Sequence, residues 1–87
     1  MKKLIDDENE GLLALIGERI LVMTAGYFYE GKLVGVNESC IKLSDTSIVY
    51  STGEWSDSNY SDIQKLHQDI WYVQTGLIES FGKSKND

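Results

Sequence analysis

Between Arg19 and Tyr50 apolar residues recur with a period of two, and inside that run Gly31 and Gly35 stand four residues apart. Such alternation sends successive side chains to opposite faces of a strand. Glycine inside a strand costs stability unless the backbone must bend or another segment comes close. The pairing of both features calls for strongly curved antiparallel strands, as in small open barrels of the OB and SH3-like kind. Ile20, Val22 and Thr24 share one face of the first strand, with Arg19, Leu21 and Met23 on the other. Both sets are largely apolar, so this strand is expected to be covered on both sides.

The remaining elements follow from local signals. Ala25-Gly26 reads as a turn, 27–37 as a long second strand and Asn37-Glu38 as a tight turn. Ile41 and Leu43 then alternate with Lys42 and Ser44, Asp45-Thr46-Ser47 reads as a bend, and Ile48-Val49-Tyr50 resumes the strand. Residues 51–61 form the longest loop. Ser61 with Gln64 resembles a capping box and predicts one or two helical turns over 62–67. Strands over 69–74 and 77–81 flank a short turn at Thr75-Gly76. At the N-terminal end, Asp7 and Glu10 suit a helix start, Leu12, Leu15 and Ile16 share a helical face, and Gly17 supplies a stop. Gly11 weakens that helix, which therefore needs a core to lie on.

The expected fold is mostly β: an N-terminal α-helix on a five-stranded, strongly bent antiparallel sheet. A chain of 87 residues has room for one such domain over 1–87, with the helix at about 7–16, the barrel at about 18–82 and a frayed tail at 83–87. Its net charge of −6 is opposite to the basic footprint of a duplex-DNA binder. The single cysteine, Cys40, excludes an internal disulfide, which fits a reducing compartment. The apolar run Leu12–Ile16 is too short for a signal core or a membrane span. A cytoplasmic protein without membrane contact is expected.

Chemistry has few footholds. His67 stands without a recognisable nucleophile, and Cys40 lacks the neighbours that a metal site needs. The acidic stretch Asp6-Asp7-Glu8 with Glu10 suits a solvated helix start. Asp57, Asp62 and Asp69 lack calcium-loop spacing, and no glycine-rich phosphate loop is present. Neither catalysis nor a cofactor nor a metal is expected.

The stretch 17–45, GERILVMTAGYFYEGKLVGVNESCIKLSD, resembles the first motif of the Sm and Sm-like proteins. Gly31, Leu33, Gly35 and Asn37 match its G-x-L-x-G-x-D core, with Asn in place of Asp. YVQTGLIES, from Tyr72 to Ser80, resembles the second motif through Gly76, Leu77 and Ile78. The resemblance spans roughly 12–82. It implies subunits joined edge to edge through the last two strands into rings, here a homo-oligomer of about five to seven copies. Ile70, Tyr72, Val73, Leu77 and Ile78 are then the interface candidates. An independent argument agrees: an open barrel leaves unpaired edges, and these carry neither Pro nor clustered Lys to discourage pairing.

The resemblance further implies non-catalytic binding of single-stranded RNA or DNA, in RNA or DNA processing, at two turns near a central hole. Mapped here, these are Asn37, Glu38, Ser39 and Cys40 in the first turn and Gln74, Thr75 and Gly76 in the second. The family's stacking aromatic or Met is replaced by Glu38 or Ser39, and the first turn is one residue short. The base-reading Asn aligns with Cys40, or with Ile41 if no gap is allowed, and the basic residue of the second motif aligns with Thr75. Stacking is worth about 1–3 kcal/mol per base, so typical uridine specificity is not expected. Tyr27 and Tyr29 are candidate stacking residues elsewhere. The alternative is a protein-interaction or scaffold module that grips a partner through Trp55 and Tyr60 in the long loop, with no nucleic-acid binding.

Overall fold

The computed structural model describes residues 10–85. A four-residue helix α1 (Gly11–Ala14) precedes strands β1 (Arg19–Thr24), β2 (Phe28–Val36), β3 (Cys40–Ser51), β4 (Asp62–Lys65), β5 (Ile70–Gln74) and β6 (Ile78–Lys83). All pairings are antiparallel: β1 with β2 and β6, β2 with β3, and β3 with both β4 and β5. The order is β4-β3-β2-β1-β6, with β5 also on β3.

Curvature is concentrated at two places. β3 bends at Asp45, a non-glycine residue with φ of 50°. Before this bend β3 pairs with β5, from Cys40 opposite Gln74 to Ser44 opposite Ile70. Beyond it β3 pairs with β4, from Ser47 opposite Lys65 to Ser51 opposite Asp62. Facing the bend is Gly31, where β2 slips register against β3. A Cβ at Gly31 would stand 3.0 Å from the Ser44 carbonyl oxygen and 3.1 Å from Thr46 Oγ1, so only glycine permits this approach.

The bent sheet encloses two apolar clusters. Ile20, Val22, Leu33, Ile41, Leu43 and Val73 form one, and Leu12 and Leu15 of the N-terminal segment pack against it. Leu21, Val49 and Tyr60 form the other, joined by Met23, Phe28 and Ile63. β1 thus buries side chains on both faces, as its two apolar sets predict. At the bend the buried Glu30 carboxylate accepts from Arg19 Nε at 2.8 Å and Nη2 at 2.5 Å. Arg19 also reaches Asp45 Oδ2 at 3.1 Å, and Lys65 Nζ meets Asp45 Oδ1 at 2.7 Å. Stripping one partner from a buried ion pair costs about 3–5 kcal/mol, so this network fixes the strand crossing.

Three expectations are corrected. Helix α1 covers only part of 7–16: residues 7–9 lie outside the described residues, and Gly17, with φ of 94°, ends the segment as expected. The turns expected over 62–67 are strand β4 instead. The local capping signal yields to pairing with β3 and to Ile63, which packs into the second cluster. The short turn expected at Thr75-Gly76 is present, as a 3₁₀ turn over Thr75–Leu77. The strands it joins lie on different neighbours, β5 on β3 and β6 on β1. Finally, the tail is held through Lys85. Ser84 donates its N–H to the Arg19 carbonyl at 2.9 Å and is buried.

Candidate nucleic-acid interface

The two turns that the sequence singles out are brought together. Cys40 faces Gln74 at the head of the β3–β5 ladder. The Thr75 N–H donates to the Ser39 carbonyl at 2.9 Å, and Thr75 Oγ1 donates to the Glu38 carbonyl at 2.7 Å. Asn37 shapes the first turn from within. Its Oδ1 accepts the N–H groups of Ser39 at 2.8 Å and Cys40 at 2.9 Å, an Asx-type closure. That geometry is why Asn stands here: a short side chain must accept from the backbone two and three residues on. A Cβ at Gly76 would meet no atom within 4 Å, so the second turn offers bare backbone to solvent.

Around these turns lies a cleft of about 520 Å³, lined by Gly11, Leu12, Leu13, Val36, Asn37, Glu38, Thr75 and Phe81. Beside it a smaller depression of about 180 Å³ is walled by Gly35, Val36, Asn37, Cys40, Lys42 and Tyr72. Lys42 is paired across strands with Tyr72. The sequence reading gives Lys42 no place at the turns. Its position on the polar face of an alternating strand, five residues after Asn37, is the signal that could have found it.

Three other lysines are engaged elsewhere. Lys65 holds Asp45, Lys83 lies 3.7 Å from Glu18, and Lys85 Nζ donates to the carbonyls of Thr52 and Glu54. Asp45 is held below the usual carboxylate range, chiefly by the hydrogen bond and charge of Lys65 and secondarily by Arg19. Lys65 is raised in turn, first by its hydrogen bond to Asp45. These charges serve the strand bend. Among the described residues no group of three His, Cys, Asp or Glu could hold a metal ion, and no helix is long and apolar enough to cross a membrane.

Tyr27, just before β2, and Tyr29, at its start, have ring centroids 6.4 Å apart, edge to face. Tyr50 adds a third ring, 6.3 Å from Tyr27. Tyr27 is exposed, whereas Tyr29 is half-buried against the first cluster. In the long loop Trp55 is 61% exposed and Tyr60 only 6%. Tyr60 is therefore a core residue, and its hydroxyl is within 2.9 Å of Ser84 Oγ.

The interface candidates divide by face. On β5, Ile70 and Tyr72 point outward, while Val73 is buried in the first cluster. After the 3₁₀ turn, Leu77 is 62% exposed and Ile78 packs against the same cluster. At one lateral margin of the sheet β4 and β5 pair only with β3, and at the other β6 pairs only with β1.

No protein-family model and no curated protein sequence matches the chain. The structure is similar to that of a heptameric archaeal Sm protein, with a TM-score of 0.64 at 15% sequence identity, over 84% of this chain and 94% of that one. The bent antiparallel sheet and the short leading helix agree with the expected fold class, with β4 as an added strand. The chain has the Sm fold.

Proposed function

We propose that the chain is a non-catalytic, cytoplasmic Sm-like subunit that assembles with copies of itself into a ring and binds single-stranded nucleic acid, RNA ahead of DNA, in RNA or DNA processing. The observation that carries this reading is the juxtaposition of the two turns through Thr75, in a fold similar to that of a heptameric Sm protein. The margins formed by β4–β5 and by β6 support the assembly half. Each has a row of backbone groups suited to pairing with the complementary edge of a second copy, and head-to-tail pairing that closes gives a ring. The resemblance to Sm-like proteins puts the number of copies at about five to seven. Ile70, Tyr72 and Leu77 supply outward side chains, while Val73 and Ile78 contribute through their backbone.

At the turns, Asn37 spends its Oδ1 on the backbone, so its amide nitrogen is the donor for a base edge. Gly76 permits close approach, Ser39 adds a hydroxyl, and Tyr72 with Lys42 offers a ring face beside a cation. Fluorescence anisotropy with labelled oligo-U and oligo-A at low ionic strength tests the reading. Saturable binding that weakens on Lys42→Ala supports it, and no binding to either oligonucleotide retires it.

A second reading, a protein-interaction scaffold without nucleic-acid binding, draws on the exposed Glu38 carboxylate at the turns and on the exposed Trp55. Intact assemblies that ignore both oligonucleotides would favour it.

A further inference from the structure

The long loop closes around a positive charge. Lys85 Nζ donates at 2.7 Å to the Thr52 carbonyl and at 2.7 Å to the Glu54 carbonyl. The same nitrogen lies 5.3 Å from the centroid of the Trp55 ring and 5.2 Å from that of Tyr60. The Thr52 and Glu54 carbonyls flank Gly53. Here Gly53, with φ of 67°, turns the chain so that both oxygens converge on one point, and a side chain at that position would run into Ser61 Oγ.

Two π faces and two carbonyl oxygens around one nitrogen make a receptor for an alkylammonium ion, whose compact head has three donors and whose charge is attracted by ring quadrupoles. A guanidinium, planar and forked, matches this arrangement less well. One wall is rigid, because Tyr60 is buried and its hydroxyl is tied to Ser84. The other wall, Trp55, is 61% exposed and leaves the cage open to solvent.

We propose that the loop over 52–61 is an ammonium cage in which Lys85 is the built-in ligand, and that it accepts a lysine side chain of a basic peptide in exchange. The occupant is argued from the cage itself, which already holds a lysine presented by a peptide backbone, and from the net charge of −6, which draws basic chains toward the protein. Lys85 is tethered close by and competes at an effective concentration on the order of millimolar. A single free ammonium therefore displaces it poorly, whereas a run of lysines gains from the surrounding acidic field. This site is independent of the nucleic-acid reading and lies on a different loop from the paired turns.

The test compares the wild-type chain with Lys85→Met, which keeps the apolar stem and removes the charge. Each variant is titrated with acetyl-Lys-Lys-Lys-amide by isothermal titration calorimetry, and where Trp55 is present its indole N–H resonance, assigned with Trp55→Phe, reports occupancy of the cage. Lys85→Met should bind the peptide about tenfold more tightly than wild type, the scale of one cation–π contact, and Lys85→Met/Trp55→Ala should lose that gain. Equal affinity of wild type and Lys85→Met, or a gain that survives loss of Trp55, overturns the proposal. If Lys85→Met loosens the loop, the wild-type chain gives a second readout: saturating peptide should move the Lys85 Cε resonance toward that of free lysine, and an unmoved resonance overturns the proposal. Binding of spermidine but not of the peptide overturns the assignment to a peptide ligand.

Discussion

Thr75 Oγ1 donates a 2.7 Å hydrogen bond to the Glu38 carbonyl, across 37 residues of sequence, and so locks the turn after β5 to the turn after β2. Thr75→Val keeps the shape and the backbone bond to Ser39 but removes the donor. One neutral hydrogen bond contributes about 0.5–1.5 kcal/mol, so the urea midpoint should drop only slightly. Oligonucleotide affinity should fall further, by about tenfold, because the two turns lose their fixed spacing. A large stability loss with unchanged affinity would assign Thr75 a purely structural role.

The two strand glycines should respond differently to alanine. At Gly31 an added Cβ meets the Ser44 carbonyl at 3.0 Å and the Thr46 backbone at 3.3 Å, atoms that cannot swing away. Overpacking of this kind costs about 1–3 kcal/mol. At Gly35 the nearest contact is Lys42 Cβ at 3.6 Å, an ordinary separation. Thermal unfolding should therefore show a marked drop for Gly31→Ala and little change for Gly35→Ala.

Asp45 gives the fold an acid-sensitive joint. Its carboxyl is held below the ordinary range by Lys65 first and Arg19 second. A depressed carboxyl stabilises the folded state in full above its ordinary unfolded value. That contribution declines as the pH falls below the unfolded value and is gone once it passes the lower folded value. Asp45→Asn tolerates the left-handed backbone, with φ of 50°, and removes only the charge. The unfolding midpoints of wild type and Asp45→Asn should differ near pH 7 and converge as the pH falls below the ordinary carboxylate range. A gap that persists at low pH would mean that the charge is not what matters at the bend.

Side-chain direction separates folding from assembly. Val73 is 5% exposed, so Val73→Lys buries an unpaired ammonium and should unfold the chain. Tyr72 and Leu77 are 60% and 62% exposed, and a lysine there disturbs only what lies outside the subunit. Tyr72→Lys and Leu77→Lys should retain the wild-type circular dichroism while light scattering coupled to size exclusion reports smaller species. Unchanged mass for both variants would count against pairing through these margins.

Much of this fold is legible in the sequence because its strongest signals are local. The alternation in Arg19–Thr24, the glycines at 31 and 35 and the stop at Gly17 each act within a few residues of where they stand. β4 is not legible in the same way. Asp62-Ile-Gln-Lys has one apolar residue, and it becomes a strand only because β3 continues past Asp45 and offers it a partner. The tail reads as solvated because each of its residues is polar, whereas Lys85 is fixed by carbonyls 31 and 33 positions away. At the candidate site the turns could be named from glycine and asparagine chemistry. Their mutual contact depends on Thr75 crossing to Glu38, a non-local bond with no signature along the chain.

The central claim is that the sheet margins are completed by other copies of the same chain. Native mass spectrometry of the wild-type protein, with and without short oligo-U, measures this directly. The account predicts one closed oligomer of about five to seven subunits that takes up the oligonucleotide without changing its subunit number. A monomer at all accessible concentrations, with or without RNA, would contradict it.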